Sequence, residues 1–250
     1  MIIARAEVNG KIKYFQLIND EYYTVEGDIY GDFKVSDKPT KIDKLLCPVE
    51  PTKILALGVN YLSHMEEMKH DKPVCPIMFM KPLTSMLEPN GKIIYPAAAS
   101  VLHYEAELAV VIGKTCHKVK KEKAKEYIFG YTCANDISER NFQKQDGQWT
   151  RAKGYDTFCP LGSYVVTDID ASNVQVEAVL NGNVVQSGNT KDLINDIPAI
   201  IEWVSEVMTL NQGDVILTGT PRGVGEIHPG DTIEIKIEKV GSIKNTVAAE

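Results

Sequence analysis

Hydrophobic and polar positions alternate over short stretches along most of this chain, a period of two that predicts strands more often than helices. IIARAEV, KIKYFQLI and EYYTVEG are strand-like runs broken by Asn9-Gly10 and Asn19-Asp20, both hairpin-turn signals. They predict a small β-rich module over residues 1–50. Val35 to Lys53, with three prolines, reads as a connector. ILALGVN then predicts a buried strand ending at Gly58, followed by a short helix through NYLSHMEEMKH.

Strand patterns dominate from Pro76 onward: PIMFMKP, KIIYP, ELAVVIG, YIFGYTCANDI, LGSYVVT, NVQVEAVLNGNVVQ, DVILTG and DTIEIKIEKV. Asn181-Gly182 marks a two-residue hairpin. The period changes to that of a helix in NDIPAIIEWVSEVMTL, where Asn195 or Asp196 can cap, Pro198 suits the first turn and Gly213 lies beyond the end. There are no internal repeats. The expectation is a mostly β (α+β) chain with few helices: the module of residues 1–50, then a catalytic domain over residues 51–250.

Composition narrows the function classes. At 250 residues the chain can bury a sizeable core, and 44% hydrophobic with 24% charged residues is ordinary for a globular protein. A formal charge of −7 argues against nucleic acid as a partner. The basic run KVKKEKAK is interrupted by Glu122 and reads as a solvated face. Five widely spaced cysteines contain no C-x-x-C pair and give no disulfide framework, so free thiols in a reducing cytosol are expected. The N-terminus lacks a signal-peptide pattern, and no apolar segment approaches the roughly 20 residues of a membrane span. We expect a cytoplasmic protein without a membrane partner.

Candidate chemistry begins in LHYEAELAVVIG. In a strand, His103, Glu105 and Glu107 share one face, which then turns apolar at Ala109 and Val111. Unpaired carboxylates at the mouth of a core strand are costly unless protonated, paired with a base or bound to a cation. A plain polar strand end is the alternative. Asp136 closes the apolar run YIFGYTCAN, where a strand hands over to a loop; otherwise it caps the ISERNFQ segment. Together these three acids suit a hard divalent cation of the Mg²⁺ type. No Cys/His spacing supports zinc.

In GVNYLSHMEEM, helical spacing places His64 and Glu67 on one face, where a carboxylate can orient an imidazole as a general base. An incidental exposed pair is the competing reading. Lys153, before Gly154, is expected on a loop or strand start, either in solvent or at a substrate carboxylate or oxyanion. LTGTPRGVG is a glycine-rich loop after a strand. It lacks the P-loop pattern, so it reads as a tight turn near a small ligand.

The ordered set GVNYLSHMEEM, PIMFMKP, HYEAELAVVIG, YTCANDISERNFQ, QWTRAKGYDTFCPLG, NGNVVQSGNT, LTGTPRGVG and PGDTIEIKIEKVGSIKNTV resembles short-form members of the fumarylacetoacetate hydrolase family, from Lys53 to Val247. The resemblance implies a rolled, mixed β-sheet domain, a homodimer, and a bound Mg²⁺ or Mn²⁺. By motif position Glu105, Glu107 and Asp136 resemble the metal ligands. His64 and Glu67 resemble the catalytic pair, in a segment that orders over substrate in several members. Lys153 resembles the lysine at the reacting end. Lys81, Arg140, Gln143 and Thr220 fall where relatives contact substrate, while His103 matches no ligand. Asn141 and Ser163 depart from the commoner Asp and Pro without touching a proposed ligand.

The implied activity is hydrolysis of a carbon–carbon bond in a small 2-oxo acid of the acylpyruvate type, through a metal-bound enolate. Isomerisation of a 2-hydroxy-dienedioate, or decarboxylation or tautomerisation of oxaloacetate, would use the same site. A catalytically silent binding protein is the remaining alternative. The presence of all three acids, the pair and Lys153 stands against it.

Overall fold

β1 (Ile2–Val8), β2 (Lys11–Ile18) and β3 (Glu21–Gly27) coincide with the three runs that open the sequence. We describe them from a computed structural model covering residues 1–67 and 74–250. Asn9-Gly10 and Asn19-Asp20 all take positive φ, between 49° and 71°, as two-residue hairpin loops require. The expected connector holds a further strand, β4 (Phe33–Pro39), antiparallel to β3. Prolines make the segment read as a connector. In fact Pro39 ends an outermost strand, where a missing N–H breaks no ladder.

Among the described residues, an eleven-stranded sheet runs β4-β3-β2-β1 and continues through Tyr164–Val166, Ile128–Asn135, Ala106–Ile112, Val215–Leu217, Ile54–Gly58 and Ile77–Lys81, with Lys44–Leu45 paired to β1. The join is antiparallel, Ile3 facing Val165 and Ala4 facing Tyr164, so one sheet carries both the N-terminal strands and the later ones. The sheet is mixed, because Val215–Leu217 and Ile54–Gly58 run parallel.

A five-stranded sheet, in the order Asn183–Asn189, Gln175–Leu180, Thr232–Ile237, Gly241–Ala249 and Lys92–Tyr95, supplies the facing layer. Ile233, Ile235 and Ile237 join Leu108, Val110 and Ile112 in the main core, whereas Ala109 and Val111 pack with Ile54, Val165 and Leu217 on the other face. Burial on both faces explains the unbroken apolar run ELAVVIG.

The Gly241–Ala249 strand escaped the pattern because a polar residue, Asn245, fills one of its inward positions; its amide donates to the Gly91 carbonyl at 3.0 Å. Asn181 and Gly182 turn the expected hairpin, with φ of 50° and 86°.

Among the described residues the α-helices are few. α1 (Leu62–Glu67) fills part of the expected NYLSHMEEMKH helix, whose Met68, Lys69 and His70 lie outside the described residues. α2 is Arg140–Asp146 and α3 Thr150–Lys153. α4 (Ile197–Val207) is capped by Asp196, which accepts from the Ala199 N–H at 2.9 Å. It buries Ile197, Ile200, Ile201 and Val204. Its helical pattern continues to Leu210, but the backbone there pairs with Cys116 instead, and α4 stops short of it. No described helix is long and apolar enough to cross a membrane.

Candidate active site

Glu105 interrupts what the alternation presents as one strand. Leu102–Tyr104 pairs with Ser138–Glu139 and Gly225–Glu226, while Ala106–Ile112 pairs with Ile128–Asn135 and Val215–Leu217. At the junction the Glu105 N–H donates to Asn135 Oδ1 at 2.9 Å, and its carbonyl accepts from the Asp136 N–H at 3.0 Å. A buried asparagine thus satisfies the backbone where the ladder lapses. The break brings Glu105, Glu107 and Asp136 together, with one carboxylate oxygen of each within 4.8 Å of the others.

Three buried cations surround these acids. Lys153 Nζ donates to Glu105 Oε2 at 2.7 Å and to Asp136 Oδ2 at 2.6 Å. Lys81 Nζ donates to Asp136 Oδ1 at 2.5 Å and to the Lys153 carbonyl at 2.6 Å. Arg140 Nη2 reaches Glu105 Oε1 at 2.5 Å, and its Nη1 donates to Gln143 Oε1 at 2.8 Å. Lys153 is the last residue of α3, not part of a loop; a single short turn from Thr150 suffices to bury its stem. Asp136 caps no helix. Glu139 takes that place for α2, accepting from the Phe142 N–H at 2.5 Å.

The acids differ electrostatically. Burial alone would raise Glu105, but the charges of Lys153 and Arg140 hold it well below the usual carboxylate range. Glu107 is pushed far above that range by burial, then by Asp136 and Glu105. Its partner is a neutral backbone donor, the Gly219 N–H at 2.6 Å. Burial would lower Lys153, yet Asp136 and Glu105 keep it raised. The donor set fits a divalent cation: three gathered hard oxygens, one belonging to a carboxyl with no ion-pair partner among the described residues.

A cavity of about 410 Å³ opens onto this cluster. Glu105, Glu107, Arg140, Gln143 and Lys153 line it together with His64, Glu67, Thr220, Lys144 and Trp149. His64 Nδ1 lies 3.3 Å from Glu67 Oε2, as the helical spacing suggests. Burial holds His64 below the ordinary imidazole value. Thr220 accepts from Gln186 Nε2 at 2.9 Å.

Lys81, expected at the substrate, donates to Asp136 and to the Lys153 carbonyl and is not among the residues that line the cavity. His103 is half-buried, with Nδ1 unpartnered among the described residues; burial and Arg140 push it down to about 4. Motif reading missed Asn135, Lys144, Trp149 and Gly219. Trp149 carried a signal: Gly58 faces it so closely that a Cβ there would lie 2.4 Å from the indole.

Residues 53–248 match the family model described as fumarylacetoacetate (FAA) hydrolase C-terminal. The chain is similar to 2-hydroxyhepta-2,4-diene-1,7-dioate isomerase from Mycobacterium marinum, whose crystal structure superposes with a TM-score of 0.91 at 40% identity, covering 100% of this chain and 99% of that one. It is 41% identical to 2,4-didehydro-3-deoxy-L-rhamnonate hydrolase from Sphingomonas sp. strain SKA58, over 78% of this chain and 73% of the relative. It is also 41% identical to a mitochondrial oxaloacetate tautomerase of Xenopus laevis, over 81% and 68%.

Proposed function

The chain belongs to the fumarylacetoacetate hydrolase family, and from that premise we propose that it is a divalent-cation-dependent hydrolase cleaving a carbon–carbon bond in a small acylpyruvate-type 2-oxo acid. One observation carries the reading: an oriented histidine lines the same cavity as Glu105 and Glu107, two members of the acid trio.

Glu105, Glu107 and Asp136 would hold the cation, a Lewis acid for negative charge growing on the oxygens of the 2-oxo acid. The remaining work falls to the chain. His64, oriented by Glu67, takes a proton from the water that attacks the distal carbonyl. Lys153 uses two of its three ammonium donors on Glu105 and Asp136, which leaves one for the oxyanion. Gln143 gives its carbonyl to Arg140 and keeps its amide N–H groups for the substrate. The carbon–carbon bond then breaks, and the proton on His64 returns to the departing enolate carbon. Trp149 and Leu57 keep part of the wall apolar.

A second reading, isomerisation or tautomerisation of a diacid, is supported by the isomerase and tautomerase relatives and by Lys144, a further cation lining the cavity and suited to a second carboxylate. Purified protein assayed on acylpyruvates, oxaloacetate and 2-hydroxy-dienedioates separates the two. Hydrolysis restored by Mg²⁺ or Mn²⁺ after EDTA is expected, and turnover indifferent to chelation would refute the cation-dependent reading.

The pH profile tests His64. The neutral ring is the base, and it is lost as pH falls through its pKa. Since burial lowers that pKa from the ordinary 6.5, the acid limb of kcat/KM is expected below pH 6.5, with a plateau across neutrality. A limb above that value would exclude His64 as the base.

A further inference from the structure

The base depends on Glu67, and Glu67 depends on a loop. Its side chain ends α1 and is 27% exposed, so the helix alone does not fix it. Both of its oxygens accept from the Gly223 N–H, at 2.9 and 3.1 Å. One helical turn earlier, Ser63 Oγ accepts from the Arg222 N–H at 3.3 Å. α1 therefore rests on the loop that follows the Val215–Leu217 strand.

Gly223 is held on two sides. Its φ is +96°, and a Cβ there would lie 2.4 Å from the Val185 carbonyl oxygen, so the backbone is pressed against the Asn183–Asn189 strand. Its own carbonyl accepts from the Tyr104 hydroxyl at 2.9 Å. Tyr104 is 3% exposed, sits in the main core and pairs with Gly225. Gly225 in turn leaves room for the phenol oxygen, which would meet a Cβ at 2.8 Å.

We propose that Tyr104 is a positioning residue for the general base, tying the core to His64 through the Gly223 backbone, whose two flanking peptide groups meet at its Cα, and the Glu67 carboxylate. The inference rests on the reading of His64 as the base. The hydroxyl fixes the Gly223 carbonyl, the Gly223 N–H is thereby presented to Glu67, and Glu67 sets the imidazole. Tyr104 touches neither substrate nor the acid trio in this role, although Glu105 follows it in sequence. Burial and the charge of Glu67 raise the phenol to about 12, so it remains a donor throughout the working range.

Tyr104→Phe keeps the ring and removes only the hydroxyl. It is expected to lower kcat about three- to tenfold, with KM within about twofold. In a Glu67→Ala background the same change should cost nothing further, because the carboxylate through which Tyr104 acts is gone. Hydrogen exchange of the 59–67 peptide should be faster in Tyr104→Phe than in wild type. Mn²⁺ affinity, read by calorimetry, should not move. Unchanged exchange, additive losses in the double variant, or an altered Mn²⁺ affinity would each overturn the proposal, the last by showing action through Glu105. If wild-type protein turns over none of the acids yet Tyr104→Phe still speeds exchange in α1, the functional reading fails and the link from Tyr104 to Glu67 stands.

Discussion

Glu107→Gln is expected to leave the fold as stable as wild type while lowering cation-dependent turnover about 10²–10³-fold, equivalent to the several kcal/mol that a catalytic cation contributes. The asymmetry among the three acids is the reason. Glu107 is buried, pushed toward its neutral form, and hydrogen-bonded to the Gly219 N–H, with no lysine or arginine in ion-pair contact among the described residues. A glutamine supplies the same acceptor oxygen without the charge that burial opposes. Glu105→Gln should behave differently. Glu105 neutralises Lys153 and Arg140, both buried, so its loss leaves cationic charge without a full partner and is expected to cost about 3 kcal/mol or more of stability. Urea denaturation and Mn²⁺ calorimetry on both variants test the distinction. Both should lose Mn²⁺ affinity, and only Glu105→Gln should lose stability. Equal destabilisation by the two changes would mean that Glu107, too, is paired in the folded protein.

The acid cluster and the His64–Glu67 pair were legible in outline because their side chains lie on local patterns. Glu105 and Glu107 are two residues apart at the mouth of an apolar run, and Asp136 ends another. His64 and Glu67 follow helical spacing over a single turn. Partners supplied from distant parts of the chain were not legible. Lys81 reaches Asp136 across 55 positions and Gly219 reaches Glu107 across 112, and no periodicity encodes such contacts. Motif position assigns Lys81 to substrate; the tertiary arrangement engages two of its three ammonium donors, with Asp136 and the Lys153 carbonyl. The fold divides the same way. β1 to β3 coincide with their alternating runs, whereas β4 and the Gly241–Ala249 strand were hidden by Pro39 and Asn245, residues that only an edge position or a buried amide partner explains.

His64→Ala is expected to reduce carbon–carbon hydrolysis about 10²–10⁴-fold, the usual contribution of a positioned base, while sparing oxaloacetate tautomerisation to within about tenfold. Hydrolysis needs a water made nucleophilic at the distal carbonyl, and His64 is the cavity-lining imidazole held by a carboxylate. Tautomerisation moves a proton between carbon and oxygen and needs no attacking water. It relies on stabilised negative charge at the acid cluster, which His64→Ala leaves in place. The substitution removes a buried ring, so its stability must be measured beside its rate. Glu67→Gln is the companion variant. It keeps the Gly223 hydrogen bond through the amide oxygen but weakens the pull on Nδ1, and it should fall between wild type and His64→Ala. A folded His64→Ala protein that hydrolyses acylpyruvates at the wild-type rate would remove the general base from this site. One that loses tautomerisation in equal measure would make His64 a proton carrier for the substrate carbon, and would move the assignment toward the isomerase and tautomerase relatives.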